Sequence, residues 1–469
     1  MPSIYTARWL LPISSPAIEN GAVAVQDALI VAVGPAHEVT SHFPAARVED
    51  FGNSVILPGL VNAHSHLELT AMRGFLEAEE HDFFAWLRRL TVARLAMSAE
   101  DLFVAAMCGA IEALRAGVTC VGDSSSAATE SMKALRETGL RGVVYQESFG
   151  PEPKLAKENV AKLADQLAGM RALETSPVRA GVSPHAPYTV SPPQLEMIAR
   201  MAIDENLPLM MHAAESEAER LFLSEGTGAF ADGLRKRAID WQAQGISTIQ
   251  HLKQCGVLET RPLLAHCITV DESDIELIKS TGAGIAHCPK SNAKLGHGRA
   301  PFAKFLAAGL KVGIGSDSVA SNNNCDILEE ARFATLLARV SEARPSGRAW
   351  SDKVALPDGR ASDPVTATQV LFAATLGGAR ALGVDDQIGA LEKGMQADLI
   401  VVGLDGIHQQ PVDDPVQALI FSSSGRDVRF TMAAGKELYR NNQVLSADEN
   451  DLRTRIAHVR SKLDSLANS

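Results

Sequence analysis

Five short apolar runs in this 469-residue chain each end in side chains that can bind a metal ion. The polar residues at these five ends are His64 with His66, His185, His212, His266 and Asp317. Short apolar runs are typical of buried strands, and the carboxyl ends of parallel strands meet on one face of a (β/α)8 barrel. His64 and His66 lie two residues apart, so both imidazoles point to the same side of an extended strand. The pattern predicts one polar site at the mouth of a barrel.

Strand and helix patterns alternate between residues 58 and 385, which predicts a parallel sheet. Eight apolar runs are candidate strands, near residues 58–64, 118–122, 141–147, 179–183, 208–212, 262–266, 283–287 and 311–316. Eight strands separated by helices favour a closed TIM-type barrel over an open sheet. The predicted fold class is therefore α/β, with a (β/α)8 barrel at its centre.

Short β-type runs also occupy both ends of the chain, and no convincing helix interrupts the first of them. We expect the two ends to pair in one small β-sandwich, with the barrel inserted between them. The predicted boundaries are 1–57 and 386–445 for the two parts of the sandwich, 58–385 for the barrel and 446–469 for a C-terminal amphipathic helix. Residues 224–258 read as an irregular insertion without an assigned function.

Composition narrows the class of partner. The net charge of −12 argues against nucleic acid and against an anionic membrane surface. No apolar stretch approaches the roughly 20 residues of a membrane helix, and the first residues do not resemble a secretory signal. The six cysteines are scattered without a C-x-x-C pair, which favours reduced thiols in the cytoplasm. We expect a small-molecule substrate; the oligomeric state stays open, with a homo-oligomer among the alternatives.

Three imidazoles and one carboxylate form a ligand set that suits Zn²⁺, with Fe²⁺ and Mn²⁺ as alternatives. The predicted ligands are His64, His66, His212 and Asp317. A metal ion held in this way can lower the pKa of a bound water toward ~7, which makes hydroxide available at neutral pH. The sequence therefore predicts a metal-dependent hydrolase with one divalent ion.

Hydrolysis also needs a group that carries protons. Glu215 lies three residues after His212, where a turn would bring its carboxylate over the metal. We predict that it takes a proton from water and delivers it to the leaving group. His266 and Asp317 are predicted to orient the attacking water, with Asp317 also a ligand. Glu217 and Glu219 are interpreted as the solvated acidic start of a helix.

Several motifs are similar to those of the metal-dependent amidohydrolase superfamily, in its branch of hydrolytic deaminases and triazine hydrolases. The matching stretches are Leu57–His66, Pro184–Tyr188, Ala265–Cys267, His287–Asn292 with Leu295–Gly298, and Gly315–Asn322. The resemblance implies zinc or iron at the four ligands, Glu215 as proton shuttle and His266 beside the attacking water. Relatives with two metals bridge them by a lysine after the fourth strand; here that strand ends at His185, so one metal is expected.

Within this branch the chain most resembles deaminases of adenosine-like compounds: methylthioadenosine, S-adenosylhomocysteine and aminodeoxyfutalosine deaminases. The implied reaction converts a ring amine to a hydroxyl and releases ammonia. Trp86 matches an aromatic residue of the nucleoside pocket, and His185 would contact the leaving side of the ring. The acidic residue that holds ribose hydroxyls in such relatives falls here near Leu95.

Glu68 and Glu147 are candidates to replace that missing acidic contact, because they follow the first and third predicted strands. The alternative is an ordinary ion pair with Arg73 or Arg89.

Two other functions remain open from the sequence. One is a hydrolase of another heteroaromatic or C–N or C–Cl substrate, such as a triazine, a pterin, a guanine-like ring or a formimino compound. The other is a non-catalytic scaffold on the same fold, which an intact ligand set with Glu215 makes improbable. Ser291 and Asn292 either position substrate or satisfy a turn, and His297, between two glycines, can reach the mouth.

Overall fold

The strands and helices of the chain come from a computed structural model that describes residues 1–342, 354–355, 361–362 and 364–467. The strands are β1 (Ser3–Leu10), β2 (Ile18–Gln26), β3 (Leu29–Pro35), β4 (Arg47–Asp50), β5 (Ser54–Pro58), β6 (Leu60–Ser65), β7 (Val118–Ser125), β8 (Arg141–Ser148), β9 (Val178–Pro184), β10 (Met210–Ala213), β11 (Leu263–His266), β12 (Gly284–His287), β13 (Lys311–Ile314), β14 (Val354–Ala355), β15 (Ala361–Ser362), β16 (Leu399–Gly403), β17 (Val428–Ala433), β18 (Lys436–Arg440) and β19 (Gln443–Val444). The α-helices are α1 (Ala36–His42), α2 (Phe83–Leu95), α3 (Ala99–Arg115), α4 (Ala128–Thr138), α5 (Ala156–Arg171), α6 (Pro192–Asp204), α7 (Glu217–Glu225), α8 (Gly228–Lys236), α9 (Thr248–Gln254), α10 (Glu272–Thr281), α11 (Pro289–Lys294), α12 (Phe302–Ala307), α13 (Val319–Asn322), α14 (Ile327–Glu342), α15 (Ala367–Phe372), α16 (Gly378–Leu382), α17 (Pro415–Gln417) and α18 (Glu449–Ala467). Short 3₁₀ or π turns lie at Leu67–Met72, Glu77–Glu79, Pro153–Leu155, Leu258–Thr260, Ala373–Gly377, Ile407–Gln409, Ala418–Ser422 and Gly425–Asp427.

Two parallel four-stranded sheets form the middle of the molecule. Strands β6 to β9 pair in chain order, and so do β10 to β13. A parallel bridge between Val182 and Leu209 connects the two sheets on one side, and a second bridge, between Ser65 and Asp317, connects them on the other. Each of the eight strands overlaps the run predicted for it. The chain therefore has an α/β fold with parallel sheets.

The strands are buried because apolar residues fill both sides of the sheets. Val61, Val143 and Met210, from three different strands, belong to one buried cluster. A larger cluster includes Leu114 and other helix residues that cover the opposite faces. Gly122 allows β7 to approach β6 closely, since a Cβ there would lie 2.4 Å from the carbonyl oxygen of Ala63. This contact lies directly behind His64.

Both ends of the chain join one nine-stranded sheet. Its order is β19-β18-β17-β16-β5-β1-β2-β3, with β4 beside β1. The two ends meet where Ser54–Pro58 pairs antiparallel with Leu399–Gly403. Contrary to the prediction, the first segment also contains a helix, α1. Its N-cap is Pro35, without a side-chain cap, so the usual helix-start signal is missing from the sequence.

Helix ends set the positions of several loops near the site. A capping box of Ser98 and Asp101 starts α3, and a second one, of Asp271 with Asp274, starts α10. Ser191 precedes the N1 proline of α6, but its side chain makes no capping hydrogen bond.

The predicted insertion 224–258 contains two helices, α8 and α9. The apolar face of α8 contributes Phe230 and Leu234 to a cluster with Tyr188. The last helix of the described chain is α18, Glu449–Ala467. None of the helices in the described ranges is long and apolar enough to cross a membrane.

Candidate active site

The predicted metal ligands lie close together at the carboxyl ends of the central strands. Nε2 of His66 is 3.3 Å from Nε2 of His212. Oδ1 of Asp317 is 3.4 Å from Nε2 of His64 and 3.5 Å from Nε2 of His66. Around a tetrahedral ion with bonds of about 2.1 Å, neighbouring ligand atoms lie about 3.4 Å apart. These three pairs therefore have the spacing of ligands around one metal ion, and the ligand atoms of the three imidazoles all lie within 4.8 Å of one another.

The chemical state of these groups also fits a divalent cation. Neither ring nitrogen of buried His64 has a hydrogen-bond partner among the described residues. Burial lowers the pKa of His64 and His212, and it lowers that of His66 to about 4, so the imidazoles are neutral. Burial alone would raise the pKa of Asp317, but the adjacent imidazoles, His64 foremost, hold it well below its usual value. Neutral imidazoles and an ionised carboxylate are the metal-binding forms.

Two of the predicted ligands, His212 and Asp317, are each held by hydrogen bonds to the polar atom that does not face the other ligands. Nδ1 of His212 lies 2.9 Å from the carbonyl oxygen of His185, which leaves Nε2 for a cation. Oδ2 of Asp317 accepts hydrogen bonds from the hydroxyls of Ser291, at 2.5 Å, and Ser321, at 2.9 Å. The hydroxyl of Ser291 thus binds the carboxylate of a predicted metal ligand, Asp317.

Glu215 lies beside the ligands with a carboxyl group that is hydrogen-bonded on one side. The hydroxyl of Tyr188 donates to Oε2 over 3.1 Å. Oε1 is 3.7 Å from Nε2 of His266 and equally far from Nε2 of His297. This places the predicted proton carrier next to the predicted water-orienting histidine.

Glu219 shapes the turn that carries Glu215, a role that the sequence prediction missed. It is fully buried, and its carboxylate accepts the backbone N–H groups of Ala214 and Glu215 at 2.8 and 3.0 Å. Burial raises the pKa of Glu219 to about 7. The interpretation of Glu219 as part of a solvated helix start was wrong, whereas Glu217 is exposed as expected.

His266 has a fixed ring and a constrained backbone. Nδ1 lies 2.8 Å from Oδ1 of Asn292, which directs Nε2 toward Glu215. Its φ is 75°, and that of Asp317 is 58°, both in the left-handed region. Such backbone strain, at roughly 1–3 kcal/mol per residue, is concentrated at functional sites. Asn292 therefore orients His266.

A cavity of about 690 Å³ opens over these residues. Trp86 and His185, the predicted substrate contacts, both line it. Nε1 of Trp86 is buried without a hydrogen-bond partner in the described part of the chain. Burial lowers the pKa of His185 to about 3, so its ring is neutral. Phe230, from the insertion to which the sequence assigned no function, forms part of the wall.

The two other predicted substrate contacts, Glu68 and Glu147, also border the cavity. The oxygens of Glu68 accept hydrogen bonds from residues 125–127, after β7. Glu147 lies 3.4 Å from Arg94 and 3.8 Å from Nδ1 of His66. Burial raises the pKa of Glu147 to about 8.

The alternative interpretation, an ion pair of Glu68 or Glu147 with Arg73 or Arg89, is not what the structure shows. Arg73 pairs with Glu112 instead, and Arg89 pairs with Glu79.

Comparisons with known proteins agree with this geometry. The model of the amidohydrolase family matches residues 55–438, and that of a bacterial imidazolonepropionase-like composite domain matches residues 21–46. The chain is 33% identical to the 5-methylthioadenosine/S-adenosylhomocysteine deaminase of Syntrophobacter fumaroxidans over 444 residues, 94% of this chain and 93% of that protein.

Solved structures of similar fold include two proteins with bound zinc. An adenosine deaminase of Xanthomonas campestris with bound zinc superposes with a TM-score of 0.84 and 27% identity over 98% of each chain. The zinc complex of an atrazine chlorohydrolase from Arthrobacter aurescens has a TM-score of 0.81 over 97% of this chain and 99% of that one. At 23% identity, the second likeness concerns the fold alone. The family match and the curated relative together show that this chain belongs to the amidohydrolase family.

Proposed function

We propose that this protein is a mononuclear, zinc-dependent deaminase that releases ammonia from an adenosine-like aminopurine compound, of the methylthioadenosine, S-adenosylhomocysteine or aminodeoxyfutalosine type. It is a hydrolase acting on C–N bonds other than peptide bonds. The observation that carries the proposal is the spacing of 3.3–3.5 Å in three pairs of ligand atoms: His66 with His212, and Asp317 with His64 and with His66.

His64, His66, His212 and Asp317 would hold the ion. Bound there, zinc would supply a Lewis acid that makes water nucleophilic at neutral pH. Three nitrogens and one oxygen form a set typical of zinc sites. Iron remains the alternative, because imidazole and carboxylate ligands suit it as well.

Glu215 moves the protons in the proposed reaction. Its carboxylate accepts a proton from the water that attacks the amine-bearing ring carbon, and it then donates that proton to the exocyclic amino group, which leaves as ammonia. His266 lies 3.7 Å from the same carboxyl oxygen and orients the water through Nε2. Asp317 combines its role as ligand with a contact to that water.

The cavity suits a flat, mostly apolar ring with a few polar edges. Trp86, stacked on Phe83 with ring centroids 6.1 Å apart, offers an aromatic surface for the purine. His185 is placed to contact the ring on the side from which ammonia leaves. The names of the curated relatives support an adenosine-like substrate.

Glu147 is the stronger candidate for a polar contact to the rest of the molecule, because the oxygens of Glu68 are already engaged with the backbone and hydroxyls of residues 125–127.

The same proposal includes a closed (β/α)8 barrel over residues 58–385. The two bridges that join the sheets at both sides support closure.

We also propose that residues 1–57 and 386–445 form a β-sandwich, followed by a terminal helix in residues 446–469. Tyr5 of β1 and Phe430 of β17 have ring centroids 5.5 Å apart, although two strands separate them in the sheet. Strands this far apart in a flat sheet would lie about 14 Å apart, so the contact supports a folded-over sheet.

The six free cysteines agree with the proposed cytoplasmic location. Burial raises the pKa of Cys120 to about 12, so its thiol stays protonated.

A substrate panel tests the proposed function. We expect the zinc-loaded protein to release ammonia from adenosine-like compounds and not from pterins or triazines, and a chelator to abolish the release until zinc is restored. Turnover of a triazine or pterin alone would refute the adenosine-like substrate. Bound metal without turnover of any compound would favour the scaffold.

Glu215→Gln tests the assigned proton carrier. We expect it to lower turnover by at least about 100-fold, because general acid–base catalysis contributes that much, while metal content stays unchanged. Glu217→Gln is the matched control, two residues away and 62% exposed, and should keep full activity. A nearly unchanged rate in Glu215→Gln would refute the role of Glu215.

A further inference from the structure

The carboxyl group of Glu215 faces two imidazoles, those of His266 and His297. Nε2 of His266 and Nε2 of His297 each lie 3.7 Å from Oε1. Glu215 and His266 line the catalytic cavity, whereas His297 is not one of its lining residues in the described part of the chain. His297 therefore lies beside Glu215 without itself lining the cavity.

The ring of His297 is buried, and one of its nitrogens is unused. The side chain is 7% exposed. Its Nε2 atom is buried and has no hydrogen-bond partner among the residues that the structure describes. Burial also lowers the pKa of His297, so the ring is neutral and carries one N–H. A buried polar atom normally finds a partner, and the carboxyl group of Glu215 lies just beyond hydrogen-bond distance.

The loop that carries His297 holds the ring in this position. The backbone N–H of His297 donates to the carbonyl oxygen of Asn292 over 2.9 Å. The side chain of the same asparagine orients His266, with Oδ1 at 2.8 Å from Nδ1. Phe83 packs edge-on against the His297 ring, with centroids 4.4 Å apart. Asn292 therefore connects both imidazoles that face Glu215.

We propose that His297 is a positioning residue for the proton carrier: its Nε2–H donates to Oε1 of Glu215 while the Tyr188 hydroxyl donates to Oε2. Two donors on different oxygens fix the plane of the carboxyl group toward the cavity. The inference rests on the proposed role of Glu215.

Two substitutions separate positioning from packing. His297→Phe keeps a ring against Phe83 but removes the nitrogen, whereas His297→Gln keeps an amide donor that can reach the position of Nε2. We expect His297→Phe to lower kcat by about 10- to 100-fold, at the lower end of acid–base contributions, with little change in KM. His297→Gln should recover most of the loss. His458→Phe, at an exposed histidine of α18, is the control and should change neither constant.

Crystal structures of the zinc-loaded wild type and of His297→Phe give a readout that needs no substrate. We expect a hydrogen bond between His297 and Glu215 in the wild type, and a carboxyl group with altered orientation in the variant. An unchanged kcat, or a Glu215 carboxyl that keeps its orientation in His297→Phe, would overturn the inference. If the wild type deaminates no adenosine-like compound, the proposed function fails, and the two crystal structures alone decide the role of His297.

Discussion

The two carboxylate oxygens of Asp317 have different partners. Oδ1 faces the imidazoles of His64 and His66, and Oδ2 accepts the hydroxyls of Ser291 and Ser321. The two serines come from different segments, so the carboxylate is held from two directions. Hydrogen bonds to the far oxygen of a ligand orient it and tune its affinity for the metal.

Removal of both serine hydroxyls should therefore weaken the site without removing a ligand. We expect the double variant Ser291→Ala/Ser321→Ala to bind zinc about 10- to 100-fold more weakly, as is typical when such outer hydrogen bonds are lost. Competition with a chromophoric chelator measures the affinity. Ser280→Ala, an exposed serine of α10, is the control. Equal zinc affinity in the double variant and the wild type would contradict this role.

The four proposed ligands could be selected from the sequence because each follows an apolar run, and the structure places them near one another. The contacts of Tyr188 and His297 with Glu215 could not be predicted, because they join distant parts of the chain. The backbone partners of Glu219 are only four and five residues away, but the contact depends on the backbone turn at Glu215. Glu219 looks like an ordinary acidic helix start until the turn at Glu215 folds onto it. The periodicity of apolar residues predicts strands and helices, but it does not tell which loops lie next to one another in the folded protein.

The start of α3 shows how one helix end is connected to another helix. Ser98 and Asp101 form a reciprocal capping box, and Lys462 of α18 donates to Oδ1 of Asp101 over 2.8 Å. Burial tends to raise the pKa of Asp101, but its hydrogen bonds with Lys462 and Ser98 hold it below the usual value. The same carboxylate thus caps α3 and anchors the terminal helix.

Loss of the cap should lower the free energy of unfolding by about 1 kcal/mol in Ser98→Ala.

The variant Asp101→Asn should make the loss of stability depend on pH. Because the pKa of Asp101 is lower in the folded protein than the value of about 3.9 in the unfolded chain, its carboxylate stabilises the fold at pH values above about 3.9. This stabilisation is lost as the pH falls through the pKa of the folded state. We expect the difference between wild type and Asp101→Asn to be constant near neutral pH and to shrink below about pH 4.

Urea unfolding at several pH values measures this difference. Glu100→Gln, in the same first turn but with a side chain 69% exposed, is the matched control and should change stability by less than about 1 kcal/mol. A difference for Asp101→Asn that stays constant down to pH 3 would contradict the assignment.

At the level of elements, the central strands were predictable because their apolar runs are continuous and end in polar residues. The strand β1 was not predicted, because its eight residues include Arg8 and Thr6 and lack a continuous apolar run. It forms because β2, β4 and β5 all pair with it. Tertiary pairing, rather than local preference, determines this strand.

On the scale of the whole molecule, one buried ion pair joins the central strands to the terminal sheet. Arg141, the first residue of β8, contacts both oxygens of Asp398 at 3.1 Å, directly before β16. The two side chains are 3% and 1% exposed. Asp398 also accepts the backbone N–H of Ala434 at 2.8 Å.

Breaking this pair from one side should be costly, because it leaves a buried charge without a partner. We expect Arg141→Met to lower the free energy of unfolding by about 3–5 kcal/mol, and the added substitution Asp398→Leu to restore part of that loss. Arg171→Met, which breaks an exposed pair with Glu205, should cost no more than about 1 kcal/mol. Urea unfolding of the three variants measures these values. A loss below about 1 kcal/mol for Arg141→Met would contradict the importance of the pair.

The pairing of Ser54–Pro58 with Leu399–Gly403 has a consequence for the order of events during synthesis. The first of these segments leaves the ribosome about 340 residues before its partner exists. At 5–20 residues per second, that delay lasts roughly 20–70 s. Throughout that time β5 has an unpaired edge, and the buried side chains of Ile56 and Leu57 lack part of their cover. The nascent chain therefore needs protection from aggregation until its last strands are made.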